Sequence, residues 1–103
     1  MLAHHQGGIL NVAQLARNLG ADAKTASAYI DLVLSFPDGR LWAVEIKRSL
    51  SPRPERGFHA ACTDINPARR FVVYPGDDTY SAGSDTQVVS LPALAHLLAE
   101  AKR

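Results

Sequence analysis

The sequence predicts an α/β fold: a small mixed sheet with an antiparallel hairpin and a βαβ crossover, preceded by an N-terminal helical hairpin. Three observations carry this reading. Period-two alternation runs from Ile30 to about Ser49 on both sides of a Pro-Asp-Gly turn. A helical stripe (Phe58, Ala61, Cys62, Ile65) is followed by the short apolar run Arg70–Tyr74. A final stripe places Leu91, Leu94, Leu97, Leu98 and Ala101 at helical spacing.

The 103 residues, 47% of them hydrophobic and 20% charged, suit one folded domain and leave no room for separate binding and catalytic halves. The apolar runs are far shorter than the roughly 20 residues a bilayer requires, so no membrane partner is expected. The start, MLAHHQGG, has neither a basic stretch nor an apolar one, so no secretory signal is expected. A single cysteine, Cys62, forms no intrachain disulfide, which fits a cytoplasmic setting.

Asn11 suits the N-cap of a first helix bearing Val12, Leu15, Ala16 and Leu19, which Gly20 ends. Asp22 would cap a second helix reaching about Tyr29. Two short helices around a glycine turn fit a helix-turn-helix, although alanine and glycine at these offsets recur in hairpins that never touch DNA. The chain thus divides at 1–29 and 30–103, with the two parts read as one structural unit.

From Ile30 the hairpin can be registered. Pro37 presets φ, Asp38 suits the next turn position and Gly39 supplies a left-handed residue, so Phe36 pairs with Arg40 across a three-residue loop. Leu34 then faces Trp42, Leu32 faces Val44 and Ile30 faces Ile46, an apolar face throughout. The other face pairs Val33 with Ala43 and Asp31 with Glu45, with Lys47 two positions beyond Glu45. A two-residue loop would set Asp31 against Ile46 and spoil the apolar matching.

A Ser/Pro/Arg loop leads to a helix from about Pro54 to Ile65, stopped by Pro67. The strand 70–74 follows, parallel to 41–47 through a right-handed crossover. Residues 76–86 read as an acidic loop before a strand at 87–90, and Ser90 with Pro92 begins the last helix.

The net charge of +1 is uneven: residues 40–56 carry +3 and residues 71–90 carry −3. The basic segment, with Arg48, Arg53 and Arg56 around the hairpin's end, permits phosphate or DNA binding without demanding it. Like charges facing each other across strands repel, so Asp31 opposite Glu45 calls for a counter-charge. Mg²⁺, a hard cation that takes carboxylate oxygens, would supply it, and Lys47 would stabilise charge developing on a phosphate. A solvated ion pair between Lys47 and the carboxylates is the plainer alternative. His4 and His5 read as a solvated start, His59 as a partly buried structural residue, Cys62 as core, and Asp77 and Asp78 as loop.

The segments IDLVL, FPDGRLWAVEIKRS, GFHAAC and RFVVYPGD resemble the PD-(D/E)xK, restriction-endonuclease-like domain at the C-terminus of a poorly characterised family of bacterial and archaeal AAA-type ATPases. The resemblance covers about residues 30–100. It implies that Asp31 and Glu45 are metal ligands, that Lys47 is the catalytic lysine, and that the reaction is Mg²⁺-dependent phosphodiester hydrolysis. GGILNVAQLARNLGADAKTASAY is similar to part of that family's winged-helix segment. Relative to that pattern, the remainder of the winged helix, an acidic helix and the first strand are missing between the two pieces, so the nuclease-like sheet is expected to be incomplete. No G-x-x-x-x-G-K-[ST] pattern occurs, so no nucleotide cofactor is expected. A missing first strand would expose the edge of strand 30–35, and a homodimer formed through that edge or through the N-terminal helices is the expected remedy. The alternative function is a non-catalytic, dimer-forming remnant of the larger ATPase protein.

Overall fold

The computed structural model describes residues 2–25, 28–83 and 85–101, with side chains from Gly8 onward. Helix α1 spans Leu2–Asn18. It begins well before the expected Asn11 cap, and Asn11 is an exposed mid-helix residue. Gly8 marks a close approach of this early segment to the sheet: a Cβ there would lie 3.1 Å from Ile46 Cγ2. The helix ends as expected at Gly20, with φ 91°, where Ala21 N–H donates to Ala16 O at 2.9 Å and Gly20 N–H to Arg17 O at 3.1 Å. These two bonds satisfy carbonyls that the last turn would otherwise leave unpaired.

Where a second helix is expected from Asp22 to about Tyr29, the segment starts with a strand, β1 (Asp22–Lys24), and residues 26–27 of that expected helix lie outside the described residues. The alanines around it favour helix, but exposed Asp22, buried Ala23 and exposed Lys24 alternate as a strand does. Pairing with the open edge of β2 (Leu32–Ser35), in the register Asp22 to Ser35 and Lys24 to Val33, outweighs that propensity. The edge of β2 thought to be bare is therefore paired within the chain itself.

β2 and β3 (Leu41–Ile46) form the hairpin in the expected register, Leu34 with Trp42, Val33 with Ala43 and Leu32 with Val44. Gly39 has φ 92°, and Phe36 N–H donates to Arg40 O at 3.0 Å. The regular ladder stops at Leu32, so neither Ile30–Ile46 nor Asp31–Glu45 is one of its pairs. Ile30 instead packs on the opposite face with Phe58, Ala61 and Cys62.

Helix α2 (Arg56–Ile65) follows the Pro-rich loop and ends on left-handed Asn66, whose N–H donates to Cys62 O. It returns the chain to β4 (Arg69–Val73), parallel to β3. The stretch expected to be loop contains a two-residue strand, β5 (Tyr80–Ser81), antiparallel to β6 (Thr86–Val89), and β6 runs parallel to β4. Helix α3 (Leu91–Ala101) begins where Ser90 Oγ accepts the Ala93 N–H at 3.2 Å. The result is a mixed six-stranded sheet ordered β1-β2-β3-β4-β6-β5.

The even-numbered hairpin residues Leu32, Leu34, Trp42 and Val44 form the main core with α1 (Val12, Ala16) and α3 (Leu94, Leu98). The odd-numbered face, which carries Glu45, lies beneath α2, which packs Phe58, Ala61 and Cys62 against Val33 and Ala43. This face carries Glu45 into the interior at 7% exposure.

Candidate functional site

The site lies at the carboxyl ends of the parallel pair β3–β4, the place where open α/β sheets bind ligands. Lys47 N–H donates to Val73 O at 2.9 Å, carrying the ladder one residue past β3 and fixing the lysine's main chain. Asp31, at the bend preceding β2, turns its carboxylate along the sheet, and Oδ2 accepts the Ile46 N–H at 2.7 Å. Asp31 and Glu45 therefore converge, though not as the cross-strand pair the alternation implied.

Glu45 is the unusual member. Its Oε1 lies 3.6 Å from Lys47 Nζ, while Oε2 is buried with no hydrogen-bond partner among the described residues. Burial pushes its carboxyl above the ordinary range; Lys47 opposes this, and the nearby negative charges of Asp31 and Glu55 add to it. A carboxyl so placed invites either a proton or a cation.

Lys47 Nζ makes its shorter contact elsewhere, 2.7 Å to Glu55 Oε1 at the foot of α2. Burial alone would lower the lysine, but Glu55 and Glu45 together outweigh it and hold its pKa above the ordinary value. Glu55 is correspondingly lowered by the hydrogen bond and charge of Lys47. Sequence reasoning missed Glu55, since PERG reads only as a helix start. The available signal was topological: a crossover helix that packs over β3 must begin near that strand's end, and hence near Lys47.

The three expected phosphate-binding arginines are all exposed and point into different surface depressions. Arg48 borders one with Lys47, Tyr74 and Pro75. Arg53 borders another with His59 and Tyr80, and Arg56 a third with Tyr29 and Asp64. Only Arg48 shares a depression with Lys47. Cys62 is fully buried, and burial raises its thiol pKa, as a core role implies. His59 is partly buried as expected, edge-on to Phe58 at 6.0 Å. Asp77 and Asp78 are exposed loop residues, and the side chains of His4 and His5 lie outside the described residues. Among the described residues no three His, Cys, Asp or Glu side chains form a group that could hold a metal ion.

Residues 22–94 match the family described as "Domain of unknown function (DUF4143)". The chain belongs to the DUF4143 family. The DUF4143 match runs from β1 into α3, takes in Asp31, Glu45, Lys47 and Glu55, and leaves α1 outside. The DUF4143 chain is also 39% identical over 66 residues to uncharacterized proteins of Mycobacterium bovis and Mycobacterium tuberculosis. That stretch is 64% of this chain and 14% of each relative, so the chain spans a small part of the curated proteins it matches. No solved structure matches it. No helix among the described residues is long and apolar enough to cross a membrane.

Proposed function

We propose that this DUF4143 chain is a nuclease-like module in which Asp31 and Glu45 hold Mg²⁺ and Lys47 faces the phosphate of a DNA substrate. The observation that carries the reading is the buried, unpartnered Oε2 of Glu45, beside Lys47 and within repulsive range of Asp31. An isolated buried carboxylate is costly, and a divalent cation is a partner that suits it. Mg²⁺ retains several waters and commonly takes only one or two protein carboxylates, so this donor set fits it without a third side chain. When bound, the ion would activate water and offset charge on the phosphate. Lys47, with its main chain fixed by Val73, offers an ammonium that stabilises charge on a phosphate oxygen. Arg48 is placed to assist in holding the backbone of a nucleic acid. The similarity of the hairpin and RFVVYPGD segments to the nuclease-like domain of AAA-type ATPases points the same way.

The test is metal-dependent cleavage of single-stranded, duplex and branched DNA by the parent and by Asp31→Asn, Glu45→Gln and Lys47→Ala. Cleavage that requires Mg²⁺ or Mn²⁺ and is lost in all three variants supports the reading. No cleavage by the parent, or cleavage surviving all three substitutions, overturns it.

A second reading has its own observations: Asp31 is engaged with Ile46 and Lys47 with Glu55, as in a site that has settled into structural work. Under it the chain is a non-catalytic part of a larger AAA-type ATPase protein. Millimolar Mg²⁺ distinguishes the two without any substrate, because a cation bound only by the folded state raises Tm. No shift favours the non-catalytic module.

A further inference from the structure

Lys47 Nζ lies 2.7 Å from Glu55 and 3.6 Å from Glu45, yet the nearer partner is the less committed one. The Glu55 side chain is 69% exposed, against 9% for Glu45. Glu55 occupies the N-cap position of α2 with φ −83° and ψ 158°, but its carboxylate makes no hydrogen bond to the helix it precedes. Its main chain is held, with Pro54 before it and the His59 N–H donating to its carbonyl at 3.3 Å. Glu55 can therefore leave Lys47 by side-chain rotation alone, which is fast at an exposed position. The main chain carrying the cation is fixed and the anion is exchangeable.

An exposed ion pair of this kind is worth about 0–1 kcal/mol, so an incoming anion with good geometry can replace it. Glu45, packed beneath α2, cannot make way in the same manner. Among the described residues Asp31, Glu45 and Glu55 do not form a three-carboxylate metal cluster.

We propose that Glu55 is the resident anion of a phosphate-binding position on Lys47, and that a phosphate-bearing ligand binds there by displacing it. This rests on the reading of Lys47 as phosphate-facing and adds how access to it is controlled. The ligand chemistry is a phosphate oxygen, supplied either by a nucleic-acid diester or by free phosphate.

The experiment measures binding in metal-free, low-salt buffer, with a labelled single-stranded oligonucleotide by fluorescence anisotropy and with inorganic phosphate by calorimetry. The chains compared are the parent, Glu55→Gln, Lys47→Ala, the double variant, and Asp64→Asn as a charge-matched control on the same helix. Glu55→Gln is expected to tighten the Kd about 1.4- to 5-fold, the equivalent of an exposed ion pair. Asp64→Asn should give a smaller change, and Lys47→Ala should abolish the gain in the double variant. A gain with the oligonucleotide alone assigns the position to a diester, and a gain with both probes assigns it to phosphate in general. Unchanged or weaker binding by Glu55→Gln, or a gain that persists without Lys47, overturns the proposal while leaving the nuclease-like reading intact. Failure of both the folded parent and Glu55→Gln to bind either probe overturns this proposal, whereas the nuclease-like reading stands or falls on the metal-dependent cleavage assay.

Discussion

Asp31 Oδ2 accepts the main-chain N–H of Ile46 at 2.7 Å, the bond that a regular continuation of the hairpin would direct to the carbonyl of Ile30. The side chain thus terminates the β2–β3 ladder, and Ile30 is released to the α2 face. Because Ile46 is buried, removing this acceptor leaves its N–H unpaired. Asp31→Ala should destabilise the fold by about 1–3 kcal/mol. Asp31→Asn keeps a carbonyl oxygen and should cost clearly less. Urea unfolding followed by fluorescence of the single tryptophan, Trp42, gives both values. Equal costs would mean that this bond contributes little.

Glu45 makes stability depend on pH in a defined direction. In the unfolded chain its carboxyl titrates near 4.5, and in the fold burial raises it. Between those two pKa values the folded state holds more protons than the unfolded state, so stability falls as pH rises. The contribution is complete below the unfolded pKa and lost as pH climbs through the folded one. Glu45→Gln stays neutral and should remove this slope, gaining on the parent as pH increases. Urea midpoints measured across this range test it; parallel curves for parent and variant would show that the carboxyl titrates alike in the folded and unfolded chain.

The hairpin was legible because it is local. Pro37, Asp38 and Gly39 set the turn, and the apolar matching of Leu34 with Trp42 and Leu32 with Val44 needs nothing from the remainder of the chain. Strand 22–24 was not legible, because Ala-rich sequence favours helix and only pairing with the edge of β2, which local propensity does not report, converts it. The site divides along the same line. Glu45 and Lys47 follow from alternation on one strand, whereas the burial of Glu45 depends on where α2 lands. Glu55 belongs to the site only because the crossover brings the start of that helix back to the end of β3.

Gly39 offers a test of the turn in isolation. Its φ is 92°, and a Cβ there would meet nothing within 4 Å, so the cost of Gly39→Ala is conformational and free of steric clash. The expected loss is about 1–3 kcal/mol with the register retained. Urea unfolding supplies the energy, and cross-strand contacts between Leu34 and Trp42 by NMR report the register. A loss well below this range would show that the turn relaxes to another conformation at little cost.

Whether β1 protects the sheet can be asked through Lys24. Phe36 N–H points to β3, and main-chain groups alternate direction along a strand, so Val33 and Ser35 direct theirs towards β1. Lys24, the partner of Val33, therefore uses its N–H in the ladder, while its side chain is exposed. Lys24→Pro removes that donor without altering the core and should loosen β1, leaving unpaired groups on β2 open to a second chain. The expected result is a higher mass than the parent at the same micromolar concentration by size exclusion with light scattering. Lys24→Thr, which keeps the N–H, should behave as the parent. A folded Lys24→Pro variant of parental mass would mean that something other than β1 keeps the edge of β2 from pairing.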